Sequence, residues 1–534
     1  MEETRYPLGS LRWLVPSAVG LALLVRLPLF LTTDFPLNDG GFSLSMIQDL
    51  LASHLRLPAF TTYNGGSIPF VYPPLGLYVA AVLARIGMAD PVALVRYLPL
   101  LVNLATVAAF CFLALEVLGQ SRATILAALL FPLLPFSFQW VTMGAGVTRT
   151  FGFFFAVLAA TFAHRFAVRG GTRPAVLATI AASAALLSHL EGGVFALASM
   201  ALFVLLYRRD RSGFAHLLAI ALGVASLTAP WWGLVLARHG LAPFVGASGT
   251  SGWSDTFFVT FFVTVGTFVL TAEPLLSLSG VLAAVGLFAE LARGRWLLPA
   301  WTFVTLVVVP RSAHTSLTVP LGLAAGVALG EVILPALQTL SKAGVNGSAG
   351  VGGKQVGRFR RVLPVAFTIW VLGYGLLSNA VNFSLGRAGT RCLAPTERSA
   401  MAWVAEHTAA TSTFVVISPV ASWSTDAALE WLPTLGARRC LNTPQGAEWL
   451  PAGEYGRRQE LYSDLKSCND LACLEKTAAR AGVRFTHVYF SKAQTGPAPV
   501  ADLWAAMRQA KGWRLVFDNG GASVFGRIPG GDLP

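Results

Sequence analysis

Residues 32–75 read TTDFPLNDGGFSLSMIQDLLASHLRLPAFTTYNGGSIPFVYPPL and directly follow the first long apolar run, residues 11–31. This polar loop carries three carboxylates, Asp34, Asp39 and Asp49. Ionisable groups beside an apolar membrane segment are costly, so they tend to be paired and functional. The loop is therefore the first place to look for a site, and the remaining chain is interpreted relative to it.

The composition predicts a protein with many membrane spans. Of the 534 residues, 54% are hydrophobic and only 12% are charged, and the mean hydropathy is +0.62. A soluble protein carries roughly 25% charged residues. The formal charge of +13 would suggest a nucleic-acid partner in a soluble protein. Here we assign the charge to cytoplasmic loops and predict no nucleic-acid partner.

Apolar runs of about 20 residues indicate spanning helices. The sequence contains eleven candidate runs, 11–31, 92–117, 121–138, 150–168, 174–188, 190–207, 213–235, 275–292, 296–310, 315–338 and 362–383. We therefore predict a polytopic α-helical membrane protein with about eleven transmembrane helices.

The loop charges predict an orientation. With the N-terminus inside, the cytoplasmic loops hold sixteen Arg and Lys residues, and the opposite loops before residue 386 hold six. This is the asymmetry of the positive-inside rule. It holds only if residues 71–88 and 257–272 do not cross, so we predict interfacial or re-entrant segments there. Whether 257–272 spans is left open.

The last part of the chain has a soluble composition. We predict a membrane domain over 1–385, with a first external loop at about 32–91, and an extracytoplasmic α/β domain over 386–534. The α/β domain has short apolar strand candidates and a hairpin turn at Asp518-Asn519-Gly520-Gly521.

Four of the five cysteines, Cys392, Cys440, Cys468 and Cys473, lie in this C-terminal region. Cysteines confined to one soluble segment favour disulfides and an oxidising, extracytoplasmic location. Cys468 with Cys473 and Cys392 with Cys440 are the candidate pairs, although the sequence does not fix the connectivity. A zinc site is the weaker alternative, because no paired C-x2-C spacing occurs.

The predicted topology brings further polar residues to the face of the first loop. These are Arg96, Arg149, His189, Glu191 and Arg311. Arginine binds phosphate through two parallel hydrogen bonds, and a carboxylate can remove a proton from an attacking hydroxyl. Each arginine alone is more typical of an anchor at the lipid headgroups, so their shared face is what indicates a site.

The pattern resembles the GT-C superfamily of membrane glycosyltransferases, in particular the protein O-mannosyltransferases and lipid A aminoarabinose transferases. The resemblance covers roughly residues 10–340. It is carried by Asn38-Asp39-Gly40-Gly41, the amphipathic segment Phe42 to Leu55, Tyr72 to Leu75, Arg96, Pro135, Arg149 and Pro310-Arg311.

The resemblance implies an inverting glycosyltransferase of the cell envelope that moves a sugar from a polyprenyl phosphate to an extracytoplasmic acceptor, a glycan, lipid or protein. Asp39 would be the general base, and Arg96, Arg149 and Arg311 would hold the lipid phosphate. Tyr72, His189 and Glu191 are further candidates for substrate binding. Several relatives have a paired acid where this chain has Asp39-Gly40. We therefore assign no metal ligand and no certain cofactor, and leave a divalent cation open.

Two other classes stay open: a transporter or flippase for a lipid-linked saccharide, and a non-catalytic membrane assembly protein. The absence of an internal repeat counts against transport. The enzyme hypothesis makes a geometric prediction. Asp39 should face a cavity that opens sideways to lipid and includes at least two of Arg96, Arg149 and Arg311.

Overall fold

The computed structural model describes residues 12–253, 257–266, 271–343, 353–385, 391–492 and 498–528. Each of the eleven predicted spans contains a helix. The helices before residue 386 are α1 Leu14–Leu31, α2 Gly41–Ala52, α3 Leu75–Arg85, α4 Pro91–Leu118, α5 Arg122–Leu130, α6 Gly146–Arg169, α7 Thr172–Ser188, α8 Leu190–Tyr207, α9 Arg211–His239, α10 Ala242–Ser248, α11 Phe257–Gly266, α12 Leu278–Ala292, α13 Leu297–Val308, α14 Ala313–Val327, α15 Leu334–Ala343 and α16 Gly353–Ser384.

The helices fall into two length classes. Within the described ranges, seven segments are long and apolar enough to cross a membrane: Leu14–Leu31, Pro91–Leu118, Gly146–Arg169, Leu190–Tyr207, Arg211–His239, Pro310–Leu340 and Val362–Ser384. The other four predicted spans correspond to shorter apolar helices. The polytopic helical architecture is confirmed, whereas the number of eleven crossings stays a prediction.

The segment predicted to span at 121–138 is a short helix followed by tight turns. α5 ends at Leu130, and two 3₁₀ turns follow, Phe131–Leu133 and Pro135–Ser137. Pro132 and Pro135 lack the amide hydrogens that a continuous helix requires. The chain therefore leaves the helix early and leads into residues 138–145, which precede α6 and Arg149.

Arg26, inside α1, is fully buried and binds these turns. Its guanidinium donates to Asn103 Oδ1 at 2.6 Å, to the Pro132 carbonyl at 3.0 Å and to Ser137 Oγ at 3.2 Å. The carbon of the guanidinium lies 4.4 Å from the centroid of the Phe138 ring. Arg26 thus satisfies polar groups that the interrupted helix leaves in an apolar core.

Replacing Arg26 with methionine should destabilise the protein. The change leaves three buried acceptors without this donor, at a cost of about 1–3 kcal/mol each. We expect the thermal unfolding midpoint in detergent to fall by several degrees. Arg85→Met, at an exposed arginine, is the matched control and should leave the midpoint unchanged. Equal midpoints for the two variants would contradict this role of Arg26.

The first loop folds into two short helices joined by a small hairpin. Strands β1 Phe60–Thr61 and β2 Ile68–Pro69 pair antiparallel between α2 and α3. α3 has 11 residues, and about 20 are needed to span, so it agrees with the interfacial prediction for 71–88. α2 differs from the expected amphipathic helix because nine of its twelve residues are buried.

The second uncertain segment, 257–272, is helical over Phe257–Gly266. Residues 267–270 lie outside the described part. Whether this segment enters the membrane therefore stays a prediction.

The C-terminal part is an α/β unit, as predicted. Its five-stranded sheet has the order β4-β3-β5-β7-β6. The strands are β3 Thr413–Ile417, β4 Arg439–Cys440, β5 His487–Ser491, β6 Trp513–Asp518 and β7 Ala522–Arg527, and the helices are α17 Pro395–His407, α18 Ala427–Leu435, α19 Glu454–Ser467, α20 Leu471–Arg480 and α21 Ala498–Gln509.

The α/β unit and the first loop share one hydrophobic core. The rings of Phe35 and Trp431 lie 4.6 Å apart, and Leu37 pairs as an isolated β-bridge with Cys392. The predicted boundary at 385/386 touches residues 386–390, which are outside the described part, so the division into domains stays a prediction. The shared core shows that the C-terminal unit packs on the loop.

One of the two candidate disulfides is present. Cys468 and Cys473 form a bond that joins the end of α19 to the start of α20. The pairing of Cys392 with Cys440 is corrected, because both are free thiols. Cys440 is buried in the sheet on β4, whereas Cys392 is partly exposed and its Sγ lies 3.8 Å from Asp34 Oδ1.

Candidate active site

A cavity of about 620 Å³ lies between the helices, the first loop and the α/β unit. Its polar lining comes from both parts of the chain and consists of Asn38, Asp39, Ser43, Tyr72, Thr148, Arg149, His189, Glu191, Ser248, Thr250, Ser251, Arg311, Ser312, His314, Thr315, Ser424, Asp426, Glu430, Gln445, Glu448 and Tyr455. Six of the seven predicted site residues are in this set. A large cavity with a few convergent polar groups is the usual form of a ligand site.

Asp39 is held by the N-terminal end of α6. Its Oδ2 forms an ion pair with Arg149 Nη2 at 2.6 Å, and its Oδ1 accepts a hydrogen bond from the Ala145 backbone nitrogen at 2.9 Å. A Cβ on Gly144 would lie 1.9 Å from the Asp39 carbonyl oxygen, so only glycine allows this close approach. The carboxylate is therefore fixed in one orientation at the wall of the cavity.

Arg149 is used mainly to hold Asp39. Its Nη1 donates to the Trp140 carbonyl at 3.2 Å, and its guanidinium lies 3.9 Å above the Trp140 ring. Such a planar, stacked arginine makes geometrically specific contacts with a carboxylate. Arg149 thus places its positive charge in direct contact with the Asp39 carboxylate.

α18 holds both sides of Asp39. Glu430 Oε1 accepts hydrogen bonds from the backbone nitrogens of Phe42 at 3.0 Å and Gly40 at 3.4 Å. Trp431 Nε1 donates to the Asn38 carbonyl at 3.0 Å. Helix N-termini have free amide hydrogens that favour an acceptor oxygen. The carboxyl group of Glu430 therefore caps α2 and fixes the backbone next to Asp39.

Glu430 has an unusual proton affinity. Burial, followed by the negative charge of Asp39, raises the pKa of Glu430 to about 8. The hydrogen bonds from Phe42 and Gly40 oppose this rise. At neutral pH Glu430 is therefore largely protonated, and it lies next to the Asp39–Arg149 ion pair.

A second arginine, Arg311, lies in a 3₁₀ turn before α14. Its Nη1 donates to Thr250 Oγ1 at 2.8 Å and its Nε lies 3.9 Å from Glu191 Oε1. Its side chain is 41% exposed, so the guanidinium is accessible from the cavity. Glu448, on the α/β unit, is close enough for the charge of Arg311 to oppose the rise in its pKa that burial causes.

Tyr72 connects these groups. Its ring lies 5.6 Å from the ring of Trp449 and 6.3 Å from that of His189. Burial raises the pKa of Tyr72, and the charges of Arg149 and Arg311 both oppose that rise. Both arginines therefore act on one side chain in the same cavity.

Arg96 is not part of this cavity, which corrects its assignment as a phosphate ligand. Its Nη2 donates to the carbonyl of Phe30 at 2.8 Å and also to that of Thr33. A helix C-terminus leaves its last carbonyl groups without intrahelical partners. Arg96 satisfies two carbonyls at the end of α1, and this explains why it lies near the first loop.

Sequence reasoning missed the contribution of the α/β unit. Trp423, Asp426, Glu430, Glu448, Trp449 and Tyr455 all line the cavity. These residues come from the 3₁₀ turn Trp423–Thr425, from α18 and its N-cap, from the 3₁₀ turn Ala447–Trp449 and from the first turn of α19, and they follow no motif. The available signal was the pair Glu430-Trp431 within Ala427–Leu435, an otherwise mostly apolar segment.

The described side chains of the cavity do not provide the set of ligands that a divalent cation requires. Within the described ranges no group of three His, Cys, Asp or Glu side chains is arranged to hold a metal ion. Divalent cations such as Ca²⁺ or Mg²⁺ need several oxygen ligands. In Asp39 both oxygens already have partners, Arg149 and the Ala145 amide. No step is therefore derived through a metal.

No protein-family model and no curated protein matches the sequence. The fold does match solved structures. The chain is similar over 98% of its length, at 14% identity and a TM-score of 0.57, to the archaeal oligosaccharyltransferase AglB from Archaeoglobus fulgidus in complex with an inhibitory peptide and a dolichol-phosphate, of which it covers 75%. It is similar over 98% of its length, at 15% identity and a TM-score of 0.54, to ArnT from Cupriavidus metallidurans bound to undecaprenyl phosphate, of which it covers 99%.

A third structure is the arabinofuranosyltransferase AftD from Mycobacteria. The similarity covers 98% of this chain and 42% of that one, at 16% identity and a TM-score of 0.52. These proteins are GT-C membrane glycosyltransferases. The chain shares the fold of these proteins, so the fold predicted from the sequence is confirmed.

Proposed function

We propose that this protein is a membrane glycosyltransferase that transfers a sugar from a polyprenyl phosphate to an acceptor hydroxyl. The observation that carries the proposal is the cavity in which Asp39, Arg149 and Arg311 meet. Two proteins with this fold were solved with dolichol-phosphate and undecaprenyl phosphate. The cavity meets the geometric condition that Asp39 shares it with two arginines, while its opening to lipid stays a prediction.

In the proposed reaction, Asp39 is the general base. The acceptor oxygen attacks the anomeric carbon, and its proton passes to the Asp39 carboxylate. The new bond joins the acceptor oxygen to the anomeric carbon. The bond from that carbon to the phosphate oxygen breaks, and the phosphate leaves with the electron pair. A single in-line displacement of this kind inverts the anomeric centre.

Arg311 is the proposed ligand of the phosphate. It is more exposed than Arg149, with side-chain exposures of 41% and 10%. Arg149 is already engaged by Asp39 and Trp140, which supports a role in orienting the base. A guanidinium near the leaving oxygen stabilises the negative charge that develops there. Glu191, 3.9 Å from Arg311, would hold the guanidinium in place before the donor binds.

The aromatic side chains that line the cavity support sugar binding. The indole rings of Trp140, Trp423 and Trp449 line the cavity together with Tyr72 and Tyr455. Ligand sites are typically lined by aromatic side chains with a small number of polar groups that set orientation. The protonated carboxyl of Glu430 would donate a hydrogen bond to a substrate hydroxyl in this setting.

The proposed location is the outer face of the cytoplasmic membrane, with the N-terminus inside and the α/β unit outside. The asymmetry of the Arg and Lys residues supports this orientation. The Cys468–Cys473 disulfide supports it independently, because such bonds persist in oxidising compartments.

The direct test of function is product formation by the purified chain in detergent. Synthetic polyprenyl-phosphate sugars and an extract of envelope glycans or lipids serve as donor and acceptor. The enzyme hypothesis predicts a glycosylated product together with released polyprenyl phosphate. A flippase or an assembly protein would bind the donor lipid without producing either.

Replacing Arg311 with alanine should raise the KM for the donor by roughly 10–100-fold, because a charge-assisted hydrogen bond contributes about 1.5–3 kcal/mol. Arg238→Ala is the matched control. Arg238 also donates to backbone carbonyls, those of Leu57 and Pro58, but does not line the cavity. Steady-state kinetics with a donor titration would show the difference. An unchanged KM in Arg311→Ala would exclude the phosphate role.

A further inference from the structure

A second cavity, of about 410 Å³, lies within the α/β unit. It is formed by the edge strand β4 and by α19 and α20, the helices that the Cys468–Cys473 disulfide joins. Its charged lining consists of Arg439, Glu454, Arg457, Arg458, Glu460, Asp464 and Arg480. Four arginines from three separate elements thus face one space.

The cations in this cavity are incompletely balanced. Glu454 forms an ion pair with Arg457. Among the residues that the structure describes, Arg439, Arg458 and Arg480 form no ion pair with a carboxylate. The two other carboxylates, on Glu460 and Asp464, belong to exposed residues of α19; Arg439 and Arg480 are exposed as well, and Arg458 is half-buried. The cavity therefore holds three arginines with spare hydrogen-bonding capacity.

Arg458 shows the cost of this arrangement. Its Nη1 donates to the Thr443 carbonyl at 3.2 Å. Burial, followed by the positive charge of Arg439, lowers the pKa of the Arg458 guanidinium. Two guanidinium groups within electrostatic range repel each other unless an anion lies between them. A bound phosphate or carboxylate would accept from both and remove the repulsion.

Residues that line the two cavities lie close together in the sequence. Residues 439–441 line the arginine cavity, and Gln445, Glu448 and Trp449 line the candidate active site. The charge of Glu448 also acts on both Arg311 and Arg458. A single short segment, residues 439–449, therefore contributes to the lining of both cavities.

We propose that the arginine cavity binds an anionic group, a phosphate or a carboxylate, carried by the glycan acceptor. The acceptor part of this proposal rests on the proposed function. An acceptor chain held by such a group would reach past residues 439–449 toward Asp39. The phosphate of the lipid donor belongs at Arg311 in the other cavity, so the two anions have separate sites.

Binding can be measured without turnover. Purified full-length protein in detergent is titrated by calorimetry with trigalacturonate, with neutral maltotriose and with inorganic phosphate. The variant is Arg439→Gln combined with Arg480→Gln. The control combines Arg484→Gln with Arg514→Gln, two exposed arginines that do not line the cavity. Thermal unfolding shows whether both proteins remain folded.

We expect trigalacturonate to bind, inorganic phosphate to compete with it, and maltotriose not to bind. The cavity variant should lose at least tenfold in affinity for trigalacturonate, and the control should not change. Equal affinity in the two variants, or equal binding of maltotriose, would overturn the site. Binding of phosphate without trigalacturonate would overturn its assignment to a glycan. A protein that binds trigalacturonate but transfers no sugar would refute the proposed function and leave the anion site standing.

Discussion

Turnover should fall by about 10²–10⁴-fold when Asp39 is replaced with asparagine, which is the range that a general base contributes. Asparagine keeps an acceptor for the Ala145 amide and has nearly the same volume, so the loop should remain folded. It cannot take the proton of the acceptor hydroxyl. The measurement is single-turnover transfer from a polyprenyl-phosphate sugar, with a product assay at saturating donor.

The control for this prediction is Asp34→Asn in the same loop. Asp34 pairs with Arg398, its side chain is 56% exposed, and it does not line the cavity. Exposed ion pairs contribute about 0–1 kcal/mol, so turnover should change little. Turnover retained by Asp39→Asn would exclude Asp39 as the base, whereas absence of turnover in the parent protein as well would favour the non-catalytic alternative.

A second variant separates a base from a counter-charge. Asp39→Asn also leaves Arg149 without its ion pair. If Asp39 serves only to neutralise Arg149, then Asp39→Asn combined with Arg149→Gln should recover activity. If Asp39 is the base, the double variant should remain as inactive as the single one.

Glu430→Ala should reduce kcat by roughly 10–100-fold, since a misplacement of about 1 Å in a catalytic group can cost about 10²-fold. Alanine removes the acceptor for the Gly40 and Phe42 amides and frees the backbone beside Asp39. Glu430→Gln keeps an acceptor oxygen and should restore most of the lost rate. The control is Thr434→Val. Thr434 lies on α18 like Glu430, and its replacement removes only the hydrogen bond between Thr434 Oγ1 and Ser45 Oγ on α2. Equal rates for the alanine and glutamine variants would exclude the positioning role.

The pH dependence of stability gives a readout that does not depend on activity. The pKa of Glu430 is about 8 in the folded protein and 4.5 in the reference state. The folded state therefore binds this proton more tightly, and the stabilisation is lost as pH rises from about 4.5 to about 8. Glu430→Gln does not titrate, so its unfolding midpoint should fall less between pH 5 and pH 8 than that of the parent. Parallel midpoints would contradict the raised pKa.

The sequence was most informative where physical periodicity is strong. Apolar runs predicted the long helices described before residue 386, short apolar runs predicted β3 and β5, and the turn at Asp518-Asn519-Gly520-Gly521 predicted the hairpin of β6 and β7. The failure at 121–138 has a local cause, because Pro132 and Pro135 end the helix inside an otherwise apolar run. β4 was missed because a strand of two residues has no pattern of its own.

The candidate site was predictable only where the distribution of charges along the helical bundle indicated it. Asp39, Arg149 and Arg311 follow from charges on one face of a helical bundle. Arg96 shares that face, yet its guanidinium turns toward the end of α1, and sequence does not show the direction of a side chain. Glu430 could not be found because its partners are Gly40 and Phe42, nearly four hundred residues away, and backbone amides leave no trace in a sequence.

The bond between Glu430 and the Phe42 amide joins positions 388 residues apart, and this fixes the order in which the protein becomes active during synthesis. At about 5–20 residues per second, roughly 20–80 s separate the emergence of Phe42 from that of Glu430. A nascent chain in this interval contains Asp39 but lacks the Glu430 carboxyl that accepts hydrogen bonds from Gly40 and Phe42. If the proposed function is correct, such a chain should transfer sugar more slowly than one that includes Glu430.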